Sequence, residues 1–303
     1  MAPSRDPGDT WVEGSDGARF WGRFGAAGLV LHDPARGILL QHRVEWSHFG
    51  GTWGIPGGAI QQGERPIDGA VREATEEAGL PDGVVLPRFS HVLDLDFWTY
   101  TTLVARARES FEPIISDRES LELRWVPVEE VDDLPLHPGF GAAWPTLRAD
   151  LRRDITVVVD AANVVGSRPD GWWKDRRGAA ERLLASLAEL ATTGVPAEEL
   201  DLPHHAWWPR YTVVLEGQAR GAALPTDAPD ALRVVSAPGE GDDTIVDEVA
   251  ALRDADPAAD VRVVTSDREL RARVESLGAR THGPSFLTAL SSASTTHNEH
   301  VGP

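Results

Sequence analysis

Residues 57–80 read GGAIQQGERPIDGAVREATEEAGL, and this stretch decides how the first half of the chain is read. Pro66 is a favoured first helical residue, Gly79 a favoured stop, and Pro81 lies just beyond. A helix is therefore expected from Pro66 to Ala78. Ile67, Ala70, Val71, Ala74 and Ala78 fall at helical spacing and form its buried stripe. Glu73, Glu76 and Glu77 stand at i, i+3 and i+4 on a different arc. Carboxylates stacked this way repel one another, and a divalent cation would offset the cost. Gly57-Gly58 can bring a backbone carbonyl to the same ion. Arg72 adjoins the acids and can pair with Glu64 on the loop that enters the helix.

Strand-like segments flank the helix. GAAGLVLHD (25–33) and GILLQHR (37–43) are joined by a turn at Pro34 to Gly37, and WGIPGG (53–58) follows. HVLDLDFWTYTTLVARA (91–107) and ELRWVPV (122–128) come after the helix, and PLHPGFGAAWPTLRADLRRD (135–154) closes this half with a short helix. Strands around a helix imply an α+β sandwich with a mixed sheet between helices.

At Ile155 the pattern changes. ITVVVD (155–160), YTVVLE (211–216) and RVVTSD (262–267) are apolar runs that end in an acid. Helical stretches lie between them, GAAERLLASLAELA (178–191) and TIVDEVAALRDA (244–255). This alternation predicts an α/β domain with a doubly wound parallel sheet. The expected organisation is a flexible arm over 1–20, a first domain over 21–148, a second over 154–290, and a polar, disordered tail over 291–303.

A length of 303 residues suits two domains, and a net charge of −19 excludes a whole-molecule basic footprint for nucleic acid. With no cysteines, disulfides, thiolate metal sites and a cysteine nucleophile are excluded. A metal must then be held by oxygen or histidine ligands, and carboxylates favour Mg2+ or Mn2+. The histidines show no zinc spacing. MAPSRDPGDTW at the start has no apolar core, and no apolar run has the length of a membrane span, so a cytoplasmic protein without membrane contact is expected.

Gly58, five residues, Glu64, seven residues, and then REATEEAGL (72–80) resembles a complete Nudix box, with Ala74 where the family usually carries a larger aliphatic residue. The resemblance spans about residues 20–145. It implies metal-dependent hydrolysis of a nucleoside diphosphate linked to another group. Glu73 and Glu77 would be the main metal ligands, and the Gly57 carbonyl would complete the shell. Glu76 would be a further ligand or would orient water, and Arg72 would orient Glu73. Family members often add a glutamate from a later loop; Glu122 is the candidate and Glu119 the alternate. Trp46, Trp53, His48 and Phe97 are candidates to stack on or bond to a base, against a plain core role.

In a doubly wound sheet, ligands bind at the carboxyl ends of the strands. Asp160, Glu216 and Asp267 sit at such ends, and Asp242 and Asp243 precede a helix in GEGDDTIV. Converging carboxylates again suit a divalent metal. VVVDAANVVGS, VVLEG, GEGDDTIV and VVTSDREL are similar to the NYN branch of the PIN-like nucleases. That resemblance implies Asp160, Asp243 and Asp267 as metal ligands, Asp242 and Glu216 as supports, and Asn163 as an orienting group. Glu216 replaces a frequent aspartate, and Ala161-Ala162 a frequent glycine. RPDGWWKDRRG interleaves Trp172 and Trp173 with Arg168, Lys174, Arg176 and Arg177, a pattern that suits stacking with phosphate contact, as does HHAWWPR. A packed tryptophan pair beside a solvated basic loop is the plain alternative.

Three functions compete. One is a Nudix pyrophosphohydrolase with a second domain of separate use, in the limit a metal-dependent RNase. Another couples 5′ pyrophosphate removal to RNA cleavage. In the last, the second domain is a silent RNA-binding or dimerisation module, the dimerisation case alone implying a homodimer.

Overall fold

The computed structural model describes residues 6–15, 17–116, 118–167 and 174–299. The chain divides into two compact units, one built on the residues up to Arg152 with His204–Ala206, the other on Arg153–Pro203 and the residues from Trp207 on.

The first unit opens with an antiparallel hairpin of β1 (Trp11–Glu13) and β2 (Arg19–Trp21), where a loose arm was expected. The aromatic residues are the reason. Phe20 stacks on Trp98 at 4.5 Å, and the Trp98 indole N–H donates to the carbonyls of Trp21 and Gly22. β3 (Ala26–Asp33) is buried throughout and forms the middle of a mixed sheet. It pairs antiparallel with the start of β4 (Gly37–Arg43) through a turn in which Asp33 accepts from the Ala35 N–H. β5 (Trp53–Gly54) adds to β4, and β6 (Gly57–Ala59) adds to β3.

α1 (Pro66–Ala78) has the expected limits and ends on Gly79 in the left-handed conformation, with φ 65°. Ala70, Ala74 and Ala78 are fully buried, so small side chains let the helix lie close on the sheet. β7 (Val85–Asp94) and β8 (Thr99–Ala107) form a hairpin, and β8 runs parallel to β3. β9 (Ser120–Val126) covers β4, and α2 (Pro138–Asp150) follows. Within this unit the strand order is β7-β8-β3-β4-β5.

The second unit is a five-stranded parallel sheet. β10 (Ile155–Asp160) leads into α3 (Ala161–Gly166) and α4 (Arg176–Thr193). Two short strands, β11 (Val195–Pro196) and β12 (Ala206–Trp207), precede β13 (Arg210–Leu215) and β14 (Leu232–Ser236). α5 (Gly241–Ala255), β15 (Asp260–Val264), α6 (Arg268–Ser276), β16 (Arg280–His282) and α7 (Ser285–Glu299) complete it. The order β14-β13-β10-β15-β16 reverses direction at β10. Val158, Val214 and Val263 pack with α5 and α6 on one face, while Val157 and Val159 are buried on the other.

α7 corrects the expected disordered tail as far as Glu299. Its serine-rich sequence looked unable to pack, yet Leu287 and Leu290 are buried and the Ser294 hydroxyl donates to the Gly194 carbonyl at 3.0 Å. No helix among the described residues is long and apolar enough to cross a membrane.

Candidate active site and a second acidic edge

The candidate active site is assembled by Arg72. Its Nε and Nη2 donate to the two oxygens of Glu64 at 2.8 and 2.9 Å, a bidentate pair. Nη2 also reaches the Ala59 carbonyl at 2.9 Å, and Nη1 donates to Glu73 at 2.8 Å. One guanidinium thus joins the loop, the strand and the helix. The Gln61 N–H adds a bond to Glu64 at 2.9 Å. Burial pushes the Glu64 carboxyl up, but these bonds and the Arg72 charge outweigh it and hold the group below its ordinary value.

Glu73 goes the other way. Burial pushes it above its ordinary value, Arg72 opposes, and the charges of Glu76 and Asp9 push it further up. Its carboxylate lies where a side chain at position 58 would be, since a Cβ on Gly58 would come within 2.6 Å of it. Gly57 is fixed by its pairing to Gly28, and its N–H donates to Glu77 at 3.0 Å. Glu76 is 61% exposed and 3.4 Å from Arg72. The sequence reading missed Tyr100, whose hydroxyl occupies the space over Gly28; burial first, then Glu77, raises its pKa. No motif marks it, because register alone puts it there, opposite Ala26.

Among the described residues no three His, Asp or Glu side chains already converge as a metal shell. Glu73 is turned to Arg72 and Glu77 to the Gly57 N–H. The donor set still fits a hard divalent cation: every ligand atom is oxygen, and a cation would relieve the unfavourable charge on Glu73.

Glu122 lies on β9 opposite His42, exposed, with Arg124 at 3.9 Å. Glu119 is 3.7 Å from Arg43. Neither has a described bond to the three glutamates of α1. Trp53 is a core residue, stacked on His42 at 4.7 Å with Arg124 over its ring, so it is not a base platform. Phe97 packs on Phe20, whereas Trp46 is 69% exposed.

At the carboxyl edge of the second sheet, Asp160 is buried. It accepts from the Asn163 N–H at 3.0 Å and the Thr265 hydroxyl at 2.9 Å. Burial raises its pKa, and the charges of Asp242 and Glu216 add to that. Asp242 is raised by burial and then by Asp267, with Glu216 and Glu240 contributing. Four expected acids therefore share one electrostatic neighbourhood.

Asp243 corrects the expected ligand set. It is 86% exposed and pairs with Arg273 at 2.5 Å, because one helical residue turns it about 100° from Asp242. Asp242, not Asp243, shares charge interactions with Asp160 and Asp267. Three of the acids also do ordinary structural work. Asp160 and Asp267 cap α3 and α6, and Glu216 accepts from the first N–H of α5 at 2.6 Å. Asn163 is committed to Ser266, accepting from its N–H and its hydroxyl. Lys174, Arg176 and Arg177 are exposed, with Arg177 paired to Glu181 at 2.9 Å. Arg168, Trp172 and Trp173 lie outside the described residues. Trp207 and Trp208 of HHAWWPR are buried, so the core reading holds for that pair.

Comparison with known proteins adds the following. The family model described as the NUDIX domain matches residues 22–147. A Mycobacterium tuberculosis protein named "Putative 8-oxo-dGTP diphosphatase 3" is 51% identical over 154 residues, 48% of this chain and 70% of that protein. A Bifidobacterium longum nucleoside triphosphate pyrophosphatase/Nudix hydrolase fusion protein is 41% identical over 153 residues, 48% of this chain and 32% of that one. A crystal structure of a Nudix hydrolase from M. smegmatis, RenU, shares 49% identity, covers 47% of this chain and 94% of its own, and superposes with a TM-score of 0.44.

Proposed function

This chain belongs to the Nudix hydrolases, enzymes that act on phosphoanhydride bonds, and from that premise we propose that its substrate is a nucleoside triphosphate of the 8-oxo-dGTP kind. The reading rests on one observation above others: Arg72 ties Glu64, Ala59 and Glu73 into one unit, with Glu77 fixed beside it on Gly57. The likeness to the M. tuberculosis protein supports the choice of nucleotide.

Glu73, Glu77 and the Gly57 carbonyl would hold Mg2+ or Mn2+. When bound, such an ion neutralises pyrophosphate charge and acidifies water. The chain's own residues do the rest. Arg72 keeps the Glu73 carboxylate aimed past Gly58. Glu76, exposed at the mouth, orients the attacking water toward phosphorus. Glu122, which lies on β9 and not on the expected loop, is retained as the later glutamate that would receive the water's proton. The test is hydrolysis of a nucleotide panel, including dGTP, 8-oxo-dGTP and ADP-ribose, with phosphate-product detection. Glu77→Gln should remove at least ~100-fold of the activity; hydrolysis at the unmutated rate would sink the assignment.

We also infer that residues 154–290 form a PIN-like domain that cleaves single-stranded RNA with a divalent metal. Its support is that Asp160 and Asp242 are both raised by burial and then by neighbouring carboxylates, Asp242 and Glu216 acting on the first and Asp267 and Glu216 on the second, at the edge where such sheets bind ligands. Asp160→Asn with Asp242→Asn should abolish RNA cleavage and leave nucleotide hydrolysis intact. Failure of the unmutated protein to cut RNA with either Mg2+ or Mn2+ would favour a silent binding module.

A further inference from the structure

A run of rings crosses the first unit beside the glutamates of α1. It begins on β1 and β2, whose short strands alternate sides. Phe20 turns inward onto Trp98, so Trp11 and Trp21, which are cross-strand partners, turn outward. They meet edge to face at 5.3 Å and are 42% and 36% exposed. From Trp11 the run passes to His48 at 5.8 Å, then to Phe49 at 4.2 Å, and ends on His137, 4.8 Å from Phe49.

Phe49 is the unusual member. It adopts φ 56°, in the left-handed region that bulky residues rarely enter, and its side chain is nevertheless exposed. The loop that holds it is well bonded. The Gly50 N–H donates to the Ser47 carbonyl at 2.9 Å, the Gly51 N–H to Arg43 at 3.0 Å, and the Thr52 hydroxyl to Phe49's own carbonyl at 2.6 Å. Glycine would sit there without strain. Backbone preference does not account for the phenylalanine, and neither does burial. Backbone strain of this kind clusters at active sites and ligand clamps.

The run also lies in the right place. Gly8 packs so closely on the Ile60 carbonyl that a Cβ would approach it to 2.4 Å. Ile60 directly follows Ala59, which Arg72 holds. Asp9, two residues before Trp11, is near enough to act on Glu73 by its charge.

We propose that the β1–β2 hairpin and the 44–52 loop form the seat for the nucleobase, with Trp11 and Phe49 as stacking faces and His48 as the hydrogen-bonding edge between them. This rests on the nucleotide reading above. The occupant is a base rather than a protein side chain because the Trp11 end of the run is tied through Gly8 to Ile60, next to the Ala59 that Arg72 holds, within reach of the glutamates that would bind the phosphate-bound metal. A flat heteroaromatic ring stacks on such faces whatever its exact pattern of donors.

Steady-state kinetics on the full chain with dGTP and 8-oxo-dGTP test the proposal. Phe49→Gly relieves the backbone strain and deletes the ring, so thermal stability should hold or rise while KM climbs about tenfold and kcat stays within about twofold. Trp11→Leu should do the same to KM, and Phe49→Tyr, which keeps a ring face, should restore it. An unchanged KM in both Phe49→Gly and Trp11→Leu would overturn the base seat. So would a loss confined to kcat, which would indicate a structural role. Failure of the nucleotide reading itself shows differently, as hydrolysis that survives Glu77→Gln.

Discussion

Arg72 donates to four partners from one planar group, Glu76 the most distant at 3.4 Å, and a lysine cannot reproduce that fork. Nε and Nη2 pair with Glu64, Nη2 reaches Ala59 and Nη1 holds Glu73. Arg72→Lys should therefore weaken the site twice. Glu64 loses its bidentate partner, and Glu73 loses the Nη1 donor that aims it, because one ammonium keeps the charge but cannot reach both carboxylates. The expected result is a stability loss of about 1–3 kcal/mol by thermal melting. The concentration of Mn2+ needed for half-maximal hydrolysis should rise in parallel. A lysine variant with unaltered metal dependence would mean that Arg72 supports the fold and does not orient Glu73. Residues of this type were legible because their spacing is fixed by a single helix. Asp242 and Asp243 were not, since adjacent acids can be ranked only when the facing strand ends are known. Tyr100 was missed for a similar reason: the pairing that brings it over Gly28 spans most of the unit.

At the level of elements, α1 and the short strand β6 act as one part. β6 contributes two glycines, and the second has no room for a methyl group because the Glu73 carboxylate fills it. Gly58→Ala must push that carboxylate away while leaving the Gly57 and Ala59 pairings to β3 in place. Folding should survive by circular dichroism, and kcat/KM should fall by about 100-fold, the scale of an ångström-sized misplacement. A fully active alanine variant would show that Glu73 need not lie against the strand. The helix itself was readable end to end, from Pro66 to the left-handed Gly79, because both stop signals and the apolar stripe agree. The β1–β2 hairpin was not. Three residues per strand are too few to show a period of two, and its stability comes from Trp98, far along the chain. α7 was hidden by composition: serine and threonine hydroxyls there bond back to their own helix, as Ser291 does to Leu287 and Ser292 to Thr288.

For the first unit as a whole, buried histidines contribute to acid sensitivity, His32 and His137 alike being lowered to about 4. His32 on β3 is buried, and its pKa is lowered to about 4 by that burial and then by the charges of Arg152, Arg88 and Arg106. The unfolded chain binds a proton near the ordinary value of 6.5 while the folded chain does not. Between these values the unfolded state holds more protons, so stability falls as pH drops from about 6.5 to about 4 and levels off below. The full effect is of order 3 kcal/mol. His32→Asn should make the dependence of melting temperature on pH shallower across that window, with the remainder left by His137; an equally steep profile in the variant would assign the acid loss to other groups. The broad split into a mixed sheet and a parallel one was visible in the sequence because strands gather around one helix before Ile155 and alternate with helices after it. The placement of buried charge within those sheets was not, since it depends on which strands become neighbours.

The parallel pairing of β3 with β8 has a bearing on how the protein is made. Ala26 is matched to Tyr100, 74 residues later (100 minus 26). At a synthesis rate of about 5–20 residues per second, several seconds separate the emergence of the two strands. During that interval β3, an apolar eight-residue strand, has one edge without its final neighbour. Slow-codon variants between these positions would lengthen the exposure, and their yield of soluble protein should depend on chaperone supply more steeply than that of variants slowed after residue 107.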